Sequence, residues 1–240
     1  MTDHKADSDR IPRPPAPADL EAMRTFIQAN TRLERVAGLD FVRGGERRPM
    51  QVWQADEITP VWTATEADLE RQGLEPPFWA FPWAGGQAVA RLILARPDLV
   101  AGKRVLDIAA GGGLIGLAAA LAGAAEVLAN DIDPLCEAAV SLNAEANGVT
   151  IGWRGGNLLD APPPGVDVIL AGDIFYQKQM AERFLAWLAA AKAQGTQVYV
   201  GDPGRAYAPK GGILPLAEYD ISTNLDLEGV SMRRARVWAL

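Results

Sequence analysis

A glycine-rich turn near the middle of the chain is the clearest candidate for a ligand site. The largely apolar segment Val105–Ile108 precedes it, and Gly111, Gly113 and Gly116 lead into a second apolar run. Glycine tolerates backbone angles that other residues avoid and lets a ligand approach the main chain, while the start of a helix presents unpaired N–H groups. The pattern predicts a strand, a turn and a helix that bind a nucleotide-like cofactor.

The acid before this turn bears on which cofactor it binds. The glycines also satisfy the G-x-G-x-x-G fingerprint of dinucleotide-binding enzymes, so their spacing alone does not decide. Asp107 favours a ligand with a cationic amino group over a pyrophosphate, and S-adenosylmethionine has such a group. The alternative is that Asp107 accepts hydrogen bonds from loop amides only.

Two further positions suit the adenosine part of a cofactor. Asp131 ends the next predicted strand, where a carboxylate can accept hydrogen bonds from both ribose hydroxyls. Its other possible role, capping the helix that begins at Pro134, suits Asp133 better. Asn157 is placed to meet the adenine edge while Leu158 packs against the ring, and a plain loop cap is the alternative for Asn157.

A second group of residues suits an acceptor amine. The run Asp173–Tyr176, DIFY, follows an apolar segment, so it should emerge at the carboxyl edge of a parallel sheet, where such sheets bind ligands. A carboxylate beside aromatic rings attracts an ammonium group, which must lose its proton before it accepts a methyl group. The alternative for Asp173 is a structural cap on the following helix.

Alternating strands and helices must position these residues. Helical runs separate most of the predicted strands, which specifies a parallel sheet with right-handed crossovers. Glu218–Leu225 and Met232–Leu240 alternate like strands and should form an antiparallel hairpin. We therefore expect an α/β, Rossmann-like, seven-stranded methyltransferase sheet. The predicted parallel strands are Arg104–Ala109, Glu126–Asp131, Thr150–Arg154, Asp167–Asp173 and Thr196–Asp202.

The first third of the chain is interpreted as a tail and a cap. Residues 1–18 are rich in proline and charge and predict a flexible tail. Asp19 to about Val36 has helical spacing behind an N-cap residue, Asp40–Trp62 indicates one or two short strands, and Thr65–Gln72 a short helix. We expect residues 19–75 to form a small cap on a methyltransferase domain of residues 76–240.

Composition limits the classes of function. A net charge of −7 argues against a nucleic-acid partner held by phosphate contacts, and no apolar stretch is long enough to span a membrane. The single cysteine, Cys136, and the single histidine, His4, provide neither a disulfide nor a zinc site nor a histidine-activated nucleophile. Residues 1–18 lack the features of a targeting peptide, so the cytoplasm is the expected compartment.

Three motifs carry a resemblance to a known family: PFWAFPWAGGQ at Pro77–Gln87, DIFY at Asp173–Tyr176 and GDPGR at Gly201–Arg205. Over roughly residues 19–240 the chain resembles the lysine methyltransferases that modify the β subunit of electron transfer flavoprotein. The resemblance implies a protein-lysine N-methyltransferase that uses S-adenosylmethionine. Direct displacement on the sulfonium methyl would need no metal and no covalent enzyme intermediate.

The resemblance also implies roles for individual residues. Asp173 and Tyr176 would line the lysine channel. Ala109 departs from the family, which has glycine at that position. The residues expected around the cofactor are Trp83, Asp107, Ala109, Gly111, Gly113, Asp131, Asn157 and Leu158.

Other functions fit parts of the pattern. A methyltransferase that acts on a ribosomal protein or a small amine would share the cofactor residues and differ in its acceptor. An NAD(P)-dependent oxidoreductase would use the glycine fingerprint, but Asp107, the C-terminal hairpin and the absence of a Tyr-x-x-x-Lys pair count against it. A scaffold that binds a partner without chemistry is a third alternative, which Ala109 favours slightly.

Overall fold

The computed structural model describes residues 14–16, 19–55, 77–208, 214–225 and 229–240. The predicted helix near Thr65–Gln72 and nearly all of the predicted tail lie outside the described residues. The helices in chain order are α1 (Leu20–Asn30), α2 (Ala84–Ala95), α3 (Leu114–Leu121), α4 (Leu135–Asn147) and α5 (Lys178–Ala193). The strands are β1 (Arg32–Arg43), β2 (Glu46–Gln54), β3 (Arg104–Ile108), β4 (Glu126–Asp131), β5 (Gly152–Gly155), β6 (Val168–Gly172), β7 (Gln197–Asp202), β8 (Ala217–Ser222) and β9 (Met232–Ala239).

The main sheet has seven strands in the order β5-β4-β3-β6-β7-β9-β8. Strands β3 to β7 pair in parallel, while β9 pairs antiparallel with both β7 and β8. The predicted sheet with its C-terminal hairpin is therefore confirmed, with strand ends that differ from the predictions by a few residues. The order reverses between β3 and β6, which creates the crevice where open α/β sheets bind ligands.

Strand alternation divides the core between the two faces of the sheet. On β3, Val105 packs on the face that carries α2 and α3, whereas Leu106 and Ile108 pack on the face that carries α5. The period of two residues in a strand explains this division. It also places Asp107 on the α3 side, where helix α3 begins. No helix among the described residues has the length and apolarity needed to cross a membrane.

The N-terminal region differs from its prediction. Helix α1 begins after Asp19, whose carboxylate accepts a hydrogen bond from the Ala22 amide at 2.9 Å, as the N-cap prediction required. The helix does not reach Val36, however. It ends at Asn30, and β1 follows as the first strand of a long two-stranded hairpin with β2. The apolar spacing near Val36 fits both structures, and pairing with β2, which follows across the two-residue turn Gly44–Gly45, selects the strand.

Helix α2 packs against the sheet with no side chain between the two backbones. A Cβ added to Gly172 on β6 would lie 2.7 Å from the Cα and N of Gly86 in the first turn of α2. A Cβ added to Gly201 on β7 would collide with the carbonyl oxygen of Gly85. The two glycine pairs therefore bring the N-terminus of α2 directly onto the carboxyl ends of β6 and β7.

Gly172→Ala tests this close packing. The added methyl group would overlap the backbone of Gly86, and backbone cannot move as a flexible side chain does, so we expect a loss of about 2–3 kcal/mol in the free energy of unfolding. Urea denaturation of the parent and the variant measures the loss.

Gly165→Ala is the matched control, because a Cβ there would have no atom within 4 Å. It should change stability by no more than about 0.5 kcal/mol. Equal stabilities for the two variants would contradict the proposed backbone contact.

Candidate functional site

The candidate residues gather at the carboxyl edge of the sheet, where β3 and β6 lie side by side. The glycine turn follows β3, Asp131 ends β4, and Asp173 follows β6. The segment Phe78–Ala80 lies over the turn. A Cβ added to Gly111 would lie 3.7 Å from both the Phe78 carbonyl oxygen and the Trp79 Cα. Two groups of residues therefore meet at one edge: those around the turn and those around Asp173.

Asp107 is completely buried beneath the glycine turn. Its Oδ2 accepts a hydrogen bond from the Gly116 amide in the first turn of α3, at 2.8 Å. Its Oδ1 has no hydrogen-bond partner among the described residues. Burial raises the pKa of Asp107 to about 7, while the Gly116 amide opposes the rise and the charge of Asp131 adds to it. The carboxylate thus has one buried oxygen that could accept a further hydrogen bond.

The glycine turn follows a left-handed path at three positions. The φ angles are +53° at Ala109, +53° at Gly111 and +77° at Gly113. Gly113 also precedes α3 as its N-cap, and a Cβ there would lie 2.9 Å from Val140. Only glycine adopts such angles without cost, so the Ala109 methyl group introduces backbone strain.

Asp131 ties the glycine turn to the end of β4. Its Oδ2 accepts a hydrogen bond from the Gly111 amide at 2.9 Å, and its Oδ1 accepts one from the Asp133 amide at 3.1 Å. Asp133 in turn accepts a hydrogen bond from the Leu135 amide at the start of α4, which agrees with the capping role predicted for it. Asp131 is therefore held in place by two backbone amides and remains half-exposed at the edge.

Asn157 and Leu158 lie beyond the end of β5. The Asn157 side chain is exposed and caps the short 3₁₀ helix Leu158–Asp160 by accepting a hydrogen bond from the Leu159 amide at 3.1 Å. Leu158 is buried in the core with Leu106 and Ile108. The structure therefore contains the loop cap that the sequence offered for Asn157, and the adenine contact stays a prediction.

Asp173 has both carboxylate oxygens engaged. Oδ2 accepts a hydrogen bond from the Gly86 amide at 2.9 Å, and Oδ1 accepts two from Arg205, from Nη2 at 2.9 Å and Nε at 3.3 Å. Asp173 therefore caps α2, which precedes it in the chain, and not α5, which follows it. Its backbone is left-handed, with φ of +58°. Burial raises the pKa of Asp173 to about 6, although Arg205 and the Gly86 amide lower it and Asp202 raises it.

Arg205 and Asp202 belong to this site although sequence reasoning assigned them no role. Asp202, fully buried at the end of β7, accepts hydrogen bonds through Oδ1 from the amides of Gly204 and Arg205 at 2.7 and 2.6 Å. The Arg205 guanidinium lies 5.7 Å from the centre of the Trp83 ring. The signal was present in the GDPGR motif, whose acid and arginine flank the turn that aims the side chain at Asp173.

Aromatic rings surround the mouth of the site beside Asp173. Trp83 donates a hydrogen bond from Nε1 to the Phe78 carbonyl oxygen at 2.9 Å. The Phe78 ring lies 6.0 Å from the Trp83 ring and 5.8 Å from the Tyr176 ring, centre to centre. Phe78 and Tyr176 are each 45% exposed. Such rings can bind a cationic amine through their faces and exclude water from it. Within the described parts of the chain, no cluster of acids, histidines and cysteines could hold a metal ion.

Comparisons with known proteins agree with this geometry. Residues 43–209 match the sequence profile of the lysine methyltransferase family. The chain is 38% identical over 169 residues to the electron transfer flavoprotein beta subunit lysine methyltransferase of Xenopus laevis, which covers 68% of this chain and 69% of that protein. It is 36% identical over 178 residues to the Rattus norvegicus protein of the same name, covering 70% of each chain.

A more distant similarity extends to another methyltransferase. The chain is 40% identical over 144 residues to the ribosomal protein L11 methyltransferase of Acinetobacter baumannii, which covers 55% of this chain and 47% of that protein.

The strain at Ala109 leads to a stability prediction. Ala109→Gly removes the methyl group that disfavours a φ of +53°, so the free energy of unfolding should rise by about 1 kcal/mol. Ala110→Gly is the matched control, because Ala110 has ordinary backbone angles and the glycine there only adds freedom to the unfolded chain. The control should lose about 0.5–1 kcal/mol in urea denaturation. A loss of similar size in both variants would show that residue 109 is not strained.

The raised pKa of Asp107 predicts a pH-dependent stability. The ordinary pKa of an aspartate is 3.8, and burial raises the pKa of Asp107 to about 7 in the folded protein, so the folded state binds this proton more tightly than the unfolded state does. The cost of burying the charge is therefore absent below about pH 4 and complete above about pH 7. Asp107→Asn removes that cost, so the unfolding free energy of the variant relative to the parent should rise by about 2–3 kcal/mol between pH 5 and pH 8.

Urea denaturation of both proteins at the two pH values measures this change, and the other carboxylates cancel because both proteins contain them. A difference between the proteins that is the same at pH 5 and pH 8 would show that Asp107 is not perturbed.

Proposed function

The chain belongs to the lysine methyltransferase family, and we propose that it transfers methyl groups from S-adenosylmethionine to lysine side chains on the β subunit of electron transfer flavoprotein. One observation carries the proposal: the glycine turn and the aromatic-rimmed carboxylate Asp173 lie on neighbouring strands at one edge of the sheet. A cofactor over the turn would have its reactive end near the place where an amine can enter.

The residues around the turn fit S-adenosylmethionine. The unpartnered Oδ1 of Asp107 suits a cationic amino group, whose charge would also stabilise the buried carboxylate. The left-handed backbone at Ala109, Gly111 and Gly113 leaves little side-chain bulk where a ligand would meet the main chain. When bound, the cofactor supplies an electrophilic methyl group on a sulfonium ion.

Asp131 is the residue that we assign to the ribose. It ends β4, next to β3, and its two hydrogen bonds to backbone amides hold the carboxylate in one orientation without saturating its acceptor sites. We further assign the adenine edge to Asn157, the adjacent apolar wall to Leu158, and the cover over the cofactor to Trp83.

Asp173 and Tyr176 are the residues that we assign to the lysine channel. The carboxylate attracts the incoming ammonium group, and the rings of Phe78 and Tyr176 exclude water from it. A lysine in water has a pKa of about 10.4, and partial desolvation lowers that value, so the amine loses its proton to solvent more readily as it enters. Orientation of the neutral nitrogen toward the methyl group then provides much of the rate acceleration.

A protein acceptor agrees with the charge of the chain. At a net charge of −7, long-range attraction favours a basic segment on a protein surface over a nucleic acid. The similarity to ribosomal protein L11 methyltransferases makes ribosomal protein the competing acceptor.

Incubation of purified electron transfer flavoprotein with the enzyme and S-adenosylmethionine tests the proposal. Intact-mass and peptide analysis should show methyl groups on lysines of the β subunit. Asp173→Asn should transfer methyl groups at least about tenfold more slowly, which corresponds to about 1.4 kcal/mol of lost transition-state stabilisation. Asp160→Asn is the control, because Asp160 is exposed and pairs with Arg183 at 2.6 Å on the surface.

Two comparisons separate the competing functions. Labelling of a ribosomal protein preparation without labelling of the flavoprotein would overturn the acceptor assignment and leave the methyltransferase assignment in place. Calorimetric titration should show binding of S-adenosylmethionine and none of NAD. The opposite result would identify an oxidoreductase.

A further inference from the structure

Arg205 lies where the three distinctive motifs of the chain meet. Its guanidinium donates two hydrogen bonds to Asp173 of the DIFY motif and lies against the Trp83 ring of the aromatic segment. Arg205 itself belongs to the GDPGR motif. One side chain therefore contacts both the carboxylate and an aromatic wall of the acceptor side.

The main chain around Arg205 is held as firmly as its guanidinium. The buried Asp202 carboxylate accepts hydrogen bonds from the amides of Gly204 and Arg205, which determines the direction in which the Arg205 side chain leaves the loop. In the ion pair, the side chains of Arg205 and Asp173 are only 24% and 11% exposed. The pair Arg96–Asp98, which follows the end of α2, is 54% and 62% exposed. Exposed pairs contribute little, whereas a mostly buried pair with two hydrogen bonds fixes geometry.

The two oxygens of Asp173 are held from opposite sides. The Gly86 amide of α2 holds Oδ2 and Arg205 holds Oδ1, so rotation of the carboxylate would break at least one of these contacts. Trp83 has a similar double restraint, since its Nε1 bonds to the Phe78 carbonyl while Arg205 lies over its ring. Arg205 contacts both side chains and so joins the two restraints.

We propose that Arg205 is a positioning residue for methyl transfer, which fixes the Asp173 carboxylate and the Trp83 ring in one arrangement. This inference rests on the proposed function, in which Asp173 receives the acceptor amine. Arg205 acts through Asp173 and Trp83 and forms no bond to the reacting atoms.

The charges around Asp173 should make the effect of losing Arg205 on the rate of methyl transfer depend on pH. The charged groups that face the carboxylate are Arg205 and Asp202, both at the end of β7, and α2 faces it with the Gly86 amide. Burial and Asp202 raise the pKa of Asp173, while Arg205 and the amide lower it. Loss of Arg205 should therefore raise the pKa from about 6 by a further 1–3 units, so that Asp173 is largely protonated at neutral pH.

The rate of methyl transfer in Arg205→Ala, relative to the parent at each pH, tests the proposal. With cofactor and acceptor saturating, a rise of about two pKa units lowers the relative rate roughly tenfold at pH 7, and the relative rate recovers toward pH 9. The ratio cancels the titration of the acceptor lysine, which both enzymes share. Arg205→Lys keeps the charge but loses the two-pronged contact. Its rate relative to the parent should therefore be reduced, and by the same factor at each pH. Arg96→Ala removes an exposed arginine and should retain the parent rate.

Titration of the Asp173 carboxyl carbon by NMR in aspartate-labelled protein provides a readout that needs no acceptor. The midpoint should rise in Arg205→Ala and stay within about one unit of the parent in Arg205→Lys.

An unchanged midpoint in the folded Arg205→Ala protein, or a relative rate that is equally low at pH 7 and pH 9, would overturn the proposal. If Arg205→Ala does not fold, Arg205→Lys decides through its rate, and a parent-like rate in that variant overturns the positioning role. A parent enzyme that methylates none of the tested acceptors would contradict the proposed function. The NMR titration would still decide whether Arg205 controls the charge of Asp173.

Discussion

The direct backbone contact between α2 and the ends of β6 and β7 is the constraint on which the candidate site depends. Gly85 and Gly86 lie so close to Gly172 and Gly201 that a methyl group on one partner would meet the backbone of the other. This contact brings the unpaired amides at the start of α2 to the edge of the sheet, where Asp173 can accept a hydrogen bond from one of them. Without the glycines, α2 would stand farther out, and the carboxylate would lose a restraint on its position.

Carboxylates at this edge accept hydrogen bonds from backbone amides, a structural role that the sequence presented as an alternative to ligand binding. Asp107 binds the first turn of α3, Asp131 binds the glycine turn, and Asp173 binds the first turn of α2. A helix N-terminus carries a partial positive charge, which favours an anionic group beside it. Each acid is therefore oriented by backbone amides, and the same interaction that stabilises the fold fixes the direction of the carboxylate. Such an amide contact does not exclude the ligand roles proposed for these acids.

The sequence predicted those parts of the fold that depend on local pattern. The strands from Arg104 to Asp202 and the C-terminal hairpin follow from apolar runs and alternation, and the glycine turn follows from residue types that backbone geometry requires. The prediction failed near Val36, where helix and strand spacing coincide and pairing with β2 across the turn Gly44–Gly45 decides. The role of Arg205 was also missed, because its pairing with Asp173 joins residues 32 positions apart in the chain through the packing of two loops. The GDPGR motif singles out Arg205, but local pattern does not indicate which carboxylate it pairs with.

The N-terminal hairpin is tied to the glycine turn and to α4 by asparagines of α4. Asn143 is buried and accepts a hydrogen bond from the Trp53 amide of β2 at 2.7 Å while it donates one to the Gly112 carbonyl of the glycine turn at 2.8 Å. One turn of helix later, Asn147 accepts a hydrogen bond from the Gln51 amide at 3.1 Å and donates one to its carbonyl at 2.6 Å. These two side chains give the edge of β2 the partners that a neighbouring strand would provide. Because Asn143 bridges the hairpin and the turn, any displacement of the hairpin leaves a buried amide group unpaired next to the glycine turn. The hairpin of the region expected to form a small cap thus contacts the framework that supports the turn.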